Sequence, residues 1–242
     1  TVYIYDIETY KNYFGVAFRT PNPEEPDRFF RLINKVIPGK DGAPDAIGGV
    51  VVNEMDELFK FIAERRPLLC GYNNYSFDDT LLKIVYGYLT GKPDDLSSLH
   101  LWQIVQNLIF KRKRELRDEE IRYLNTIRYK TPLPLGIKSI DLLAMFFYNP
   151  QTTKSLKELG IALNLPFLQD LPHKFEKNLT EEEIAELEAY CSNDLHITAG
   201  VFNHFEAKIL LFEQINTKCN GKIDVHGSTE PRAAVRWLMH EY

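Results

Sequence analysis

Three β-like stretches followed by alternating strand and helix patterns mark this chain as an α/β protein built on a mixed sheet. Val2–Asp6, Tyr13–Arg19 and Arg28–Ile33 come in quick succession and fit a hairpin meander. Beyond them, apolar stretches of strand length alternate with segments of helical period, which implies helices packed on a sheet. The 242 residues are 44% hydrophobic, enough to build one large core, with or without an appendage.

Each element has its own signal. Val2-Tyr3-Ile4-Tyr5 is an apolar run of the kind found in buried strands. Tyr13–Arg19 ends at the Pro/Glu-rich turn 21–26, and Arg28–Ile33 follows it. Pro38–Gly49 is Gly/Pro-rich and reads as an irregular excursion. In Met55–Arg65, Leu58, Phe59 and Ile62 recur with helical period. Pro67–Tyr72 is a short apolar strand, and Phe77–Tyr88 a second helix. The charged span Asp94–Pro134 is helical in pattern and is expected as an inserted paired-helix arm. Ile137–Leu143 is a strand ending near Asp141, followed by a helix over Ser155–Leu163. Thr180 and Glu183 form a capping box that opens a helix running to Tyr190 or beyond, with another continuing to about Thr217. Residues 1–217 are therefore expected as one domain. In the tail, 218–242, Asn220-Gly221 is a turn signal and Ser228-Thr-Glu-Pro231 opens a helix still in progress at Tyr242. That pattern fits the start of a following region or a terminal helix docked on the core.

Composition excludes several classes. No apolar run approaches the roughly 18 residues needed to span a bilayer, and Asp6 and Glu8 interrupt the early hydrophobic stretch where a signal peptide would sit. Cys70, Cys191 and Cys219 are too few and scattered for a disulfide framework or a zinc site, so a reduced, cytoplasmic protein is expected. The net charge of −5 argues mildly against a nucleic-acid partner. Against it stands the basic run Lys111-Arg112-Lys113-Arg114 with Arg117, which reads either as a solvated helix face or as a phosphate-binding patch.

The chemistry-bearing residues lie in three places. Asp6 and Glu8 are two apart in a strand, so both carboxylates point to one face, where they repel unless a cation lies between them. That arrangement suits a divalent metal. In Gly71-Tyr72-Asn73-Asn74-Tyr75-Ser76-Phe77-Asp78, following the strand at Leu68–Cys70, Asn can make the turn, Phe join the core and Asp cap the helix. Tyr190 and Asp194 are four apart in a helix and share a face, a weak signal by itself.

Taken in order, the strand-end Asp-x-Glu, the Asn-x-x-Phe-Asp and the helical Tyr-x-x-x-Asp resemble the DEDD superfamily of 3′→5′ exonucleases, in its tyrosine-bearing branch. The histidine-bearing branch places His five residues before the last Asp, where this chain has Ala189; His196 lies on the other side of Asp194. Tyr5-Asp-Ile-Glu-Thr9, Asn74-Tyr-Ser-Phe-Asp78, Ser155-Leu-Lys-Glu-Leu-Gly160 and Leu179-Thr-Glu-Glu-Glu183 with Tyr190 and Asp194 look most like the proofreading domain of family B DNA polymerases, including the protein-primed phage kind. The resemblance covers about residues 1–215, with 94–134 poorly matched.

It implies a ribonuclease H-like fold, a central mixed sheet of about five strands flanked by helices with the site at strand ends. It also implies two Mg²⁺ or Mn²⁺ ions held by Asp6, Glu8, Asp78 and Asp194, with Tyr190 orienting the attacking water. By the same resemblance Thr9, Asn74 and Phe77 would contact the 3′ end of single-stranded DNA, and a polymerase region would share the polypeptide. Some relatives also place a lysine near the scissile phosphate, in the loop before the last helix; Lys174 is the nearby one here. An RNA-directed exonuclease, a catalytically silent nucleic-acid-binding module and an adaptor using the basic arm are the alternatives.

Overall fold

A computed structural model describes residues 1–20, 22, 24–40, 43–91, 96–110, 118–147, 154–165, 169–219 and 230–241. Its strands are β1 (Val2–Tyr10), β2 (Tyr13–Arg19), β3 (Arg28–Ile37), β4 (Ala46–Asn53), β5 (Leu68–Gly71) and β6 (Lys138–Asp141). Its helices are α1 (Met55–Arg65), α2 (Asp78–Gly91), α3 (Ser98–Phe110), α4 (Asp118–Lys130), α5 (Leu156–Ala162), α6 (Glu181–Lys218) and α7 (Glu230–Glu241). They form one six-stranded sheet in the order β4-β3-β2-β1-β5-β6. The first four strands make an antiparallel meander, and β5 and β6 run parallel to β1. This mixed, helix-flanked α/β sheet is compatible with the expected ribonuclease H-like fold.

The sheet has one more strand than expected, β4, where Pro38–Gly49 reads as an excursion. Two physical features hide it. Gly48 and Gly49 sit inside the strand, and its residues are exposed or half-buried throughout, so no apolar alternation marks it. Its pairing with β3 is also irregular, with register shifts around Asn34.

The period-two alternation of β1 divides the core. Tyr3, Tyr5 and Ile7 enter the larger cluster with Leu58 and Ile62 of α1 and Leu81 and Val85 of α2. Ile4, on the opposite face, packs with Ile140, Cys191, Leu195 and Val201. The span 94–134, expected as an arm, supplies α3 to the body of the domain. Leu101 and Val105 are fully buried in the larger cluster, and Ser98 donates through both its amide and its hydroxyl to Asn34 Oδ1 at 2.9 and 2.8 Å. The basic run Lys111–Arg117 lies outside the described residues.

Where two successive helices were expected over 181–217, α6 runs unbroken for 38 residues. Gly200 sits within it because Leu165 packs there: a Cβ would lie 2.7 Å from Leu165 Cδ1. The start of α6 is fixed twice over. Thr180 and Glu183 make the predicted capping box. Just before it, Asn12 Nδ2 donates to the Leu179 carbonyl at 2.9 Å, and Leu179 N–H donates to Asn12 Oδ1 at 2.8 Å. Thr180→Ala should lower unfolding stability by about 1 kcal/mol in denaturant titration, because a helix N–H loses its acceptor. No change would mean that the Asn12 clamp alone sets the helix start. Among the described residues, no helix is long and apolar enough to cross a membrane.

Candidate active site

The site begins with the edge geometry of β1. This strand pairs with β2 along most of its length, out to Tyr10↔Tyr13, but with β5 only at Val2–Ile4. Past Ile4 its β5-facing edge has no strand beside it. There the Ile7 N–H donates to Asp78 Oδ1 at 3.1 Å, which brings the first residue of α2 beside the strand. Asp6 and Glu8 point away from the larger core, toward α6, as the strand period requires.

On α6, Cys191 faces the sheet, with Sγ 3.8 Å from Asp6 Oδ2. The ligand atoms of Asp6, Glu8 and Cys191 lie within 4.8 Å of one another. One turn along, Asp194 adds its charge to that of Asp6, and Tyr190 sits against Asp194. The lateral position of α6 is held from β3 and β2: Arg31 donates to both oxygens of Glu188, Nε at 2.5 Å and Nη2 at 2.8 Å, and the Tyr13 hydroxyl donates to Glu188 Oε1 at 3.1 Å. Since Glu188 precedes Tyr190 by two residues, this ion pair keeps the third motif over the first. The structure thus brings Asp6, Glu8, Asp78, Tyr190 and Asp194 together from β1, α2 and α6.

The electrostatics are those of a crowded acidic set. Burial, then Asp194, pushes the Asp6 carboxyl up to about 7. Glu8 is raised by burial and then by Asp6 and Asp194; Asp78 by burial and then by Asp6 and Asp79. Asp194 is raised by burial, although Tyr190 and Lys157 act in the opposite direction. The Tyr190 hydroxyl is itself raised, first by burial and then by Asp194, so it stays protonated and cannot serve as a base at neutral pH. Burial and Asp6 likewise raise the Cys191 thiol. Asp194 Oδ1 is buried with no hydrogen-bond partner, a lone pair aimed at nothing in the protein. Carboxylate oxygens in this state fit hard divalent cations such as Mg²⁺ or Mn²⁺, which would supply the missing positive charge.

A cleft of about 560 Å³ opens from this set, with Asp6, Glu8 and Asp194 at one wall and Tyr72, Lys154 and Ser155 among the others. The predicted strand-contacting residues are placed differently. Thr9 is 1% exposed and Asn74 0%, and neither lines the cleft; Asn74 Nδ2 donates to Asp79 Oδ1 at 3.2 Å. Phe77 packs, partly buried, against the larger core. Lys174 is exposed and does not line the cleft, whereas Lys154 does. His196 is exposed on α6. Sequence reasoning passed over Lys154, which lies in no acidic motif, and gave no role to Tyr72, which stands within the Gly71–Asp78 stretch. The available signal was Ser155-x-x-Glu158, a capping box that fixes the start of α5 and with it the residue before Ser155. The Tyr72 hydroxyl donates to the Lys154 carbonyl, tying the two cleft walls together.

No known family's sequence profile matches this chain, and neither a curated protein nor a solved structure resembles it significantly.

Proposed function

We propose that this chain is a metal-dependent 3′→5′ exonuclease that hydrolyses single-stranded DNA, of the DEDD kind with a tyrosine, working as the editing module of a family B DNA polymerase. The observation that carries this reading is the convergence of four carboxylates from three separate elements: Asp6, Glu8 and Asp194 at the wall of one cleft, with the buried Asp78 beside them on the Ile7 N–H. Packing alone gives no reason to gather four buried or half-buried carboxylates, each raised by burial and three of them further by their acidic neighbours. Two divalent ions bound there would stabilise the attacking and leaving oxygens of an in-line displacement at phosphorus.

The residues then divide by position. Asp6, acted on by Asp194 and itself acting on Asp78, would hold metal from the centre of the set. Glu8 and Asp194 serve the side toward α6, and Asp78 the side toward α2. Tyr190, protonated and one turn from Asp194, orients the attacking water. Lys154 brings a positive charge to the cleft wall where the phosphodiester enters. Cys70, Cys191 and Cys219 are free and buried, which fits the reducing cytosol.

Tyr190→Phe should slow cleavage by roughly 10- to 100-fold while leaving metal binding intact. An unchanged rate would remove Tyr190 from the reaction. Digestion of a labelled DNA strand beside its RNA counterpart, in Mg²⁺ or Mn²⁺, tests the substrate assignment. Faster loss of the DNA is expected, and a preference for RNA would reassign the enzyme to RNA turnover within the same chemistry.

A further inference from the structure

Two more buried acids, Asp79 and Asp141, lie beside the site without belonging to the proposed metal set. Asp79 is enclosed by side-chain donors: Tyr5 Oη, Ser139 Oγ at 2.6 Å and Asn74 Nδ2 at 3.2 Å. Asp141, at the end of β6 and 2% exposed, accepts backbone N–H groups only. Its Oδ1 takes Asn73 N–H at 3.0 Å and Ala144 N–H at 3.1 Å, and its Oδ2 takes Tyr75 N–H at 3.1 Å.

Two of those three donors belong to the loop joining β5 to α2. That loop has no strand or helix to fix it, and its Asn73 has φ 64°, in the left-handed region. A further tie runs to the same strand, through the Tyr75 hydroxyl on the Ser139 carbonyl at 2.9 Å, beside those of the Tyr72 hydroxyl to the Lys154 carbonyl and of Asn74 to Asp79. From Asn74 the chain turns directly into α2: the Asn74 carbonyl accepts Phe77 N–H at 3.1 Å and Asp79 N–H at 2.9 Å, bracketing Asp78.

We infer that Asp141 is a positioning residue for the active site: by holding the Asn73 and Tyr75 amides, it sets the β5–α2 loop and so aims Asp78 at Asp6. This rests on the proposed nuclease function. A carboxylate suits the task because each oxygen accepts from a different part of the loop, and a buried carboxylate holding several N–H donors is a strong, directional anchor. Residues that orient ligands from behind typically change metal affinity or activity 10- to 100-fold when altered.

The test compares the full chain with Asp141→Asn and Asp141→Ala, using Mn²⁺ alone as the probe. The asparagine variant keeps one carbonyl oxygen for Asn73 and Ala144 but turns an NH₂ toward the Tyr75 N–H. The alanine variant removes all three acceptors. Bound Mn²⁺ is measured by electron paramagnetic resonance, and cleavage of single-stranded DNA is followed over a Mn²⁺ series. The expected result is a Mn²⁺ requirement raised roughly 10-fold in Asp141→Asn and more in Asp141→Ala, with the rate at saturating Mn²⁺ largely restored. Arg19→Ala, which breaks the remote Arg19–Asp27 ion pair, controls for lost stability and should leave the Mn²⁺ requirement unchanged. Wild-type Mn²⁺ affinity in Asp141→Asn would overturn the positioning role and leave the nuclease reading standing. Failure of the wild-type chain to bind Mn²⁺ would overturn both.

Discussion

Replacing Asp6 or Asp194 by alanine should reduce cleavage by roughly 10³-fold or more, because each removes a ligand that nothing nearby can replace. The flanking groups offer no substitute. Cys191 is a buried thiol raised by burial and by Asp6, Asp141 is committed to three amides, and Asp79 holds three side-chain donors. The same substitutions should leave the fold intact. Asp6 and Asp194 cover no large apolar area, and α6 remains anchored by Arg31–Glu188 and by the Asn12 clamp. At pH 8 without metal, Asp6→Ala should raise unfolding stability, on the order of 2 kcal/mol, because one of the mutually repelling charges is gone. A stable protein with lost cleavage would place Asp6 in the chemistry. A variant that cleaves at the wild-type rate would remove it.

The second large effect is on stability as a function of pH. The Asp6 carboxyl is raised to about 7, whereas an aspartate in the unfolded chain titrates near 3.9. Between about pH 4 and 7 the folded protein therefore retains a proton that the unfolded chain has released. Its contribution to stability is complete below pH 4 and is lost as pH rises through 7. Glu8, Asp78 and Asp194 are raised too and act with the same sign. The lowered carboxylates, Glu158, Asp170, Glu182 and Glu183, have the opposite sign but finish titrating at lower pH. Metal-free protein should thus melt roughly 5–10 °C lower at pH 8 than at pH 5.5. Saturating Mn²⁺ should reverse the order, since the ion binds only the ionised set and stabilises the folded state by mass action. Scanning calorimetry at the two pH values, with Mn²⁺ and with EDTA, reads both effects. A melting temperature that does not depend on metal at pH 8 would contradict the assignment of this cluster as a metal site.

How much the sequence revealed depended on whether a signal was local. Met55–Arg65 was legible to its ends because its apolar residues recur with helical period. The Thr180–Glu183 capping box was legible because four consecutive residues carry it. Asp6 and Glu8 were legible as a pair because a strand alternates every second residue. Strand β4 was hidden by its glycines and its exposure, and α3 by charge further along the same segment, which masked Leu101 and Val105 as core residues. Gly200 within α6 gives room to Leu165, a contact across 35 positions of chain that no periodicity reports. Within the site, the acids stood out because carboxylates at these spacings are costly without a cation. Lys154 and Asp141 did not. One gains its place from a neighbouring helix cap, and the other from backbone amides contributed by a loop almost 70 residues away.

Digestion of a 5′-labelled single-stranded DNA by the wild-type chain and by Asp194→Ala, in Mn²⁺ and in EDTA, tests the central claim most directly. The nuclease reading predicts a ladder that shortens stepwise from the 3′ end, requires the metal and disappears in the variant. Metal-independent cleavage, or intact DNA with correctly folded wild-type protein in Mn²⁺, would contradict it.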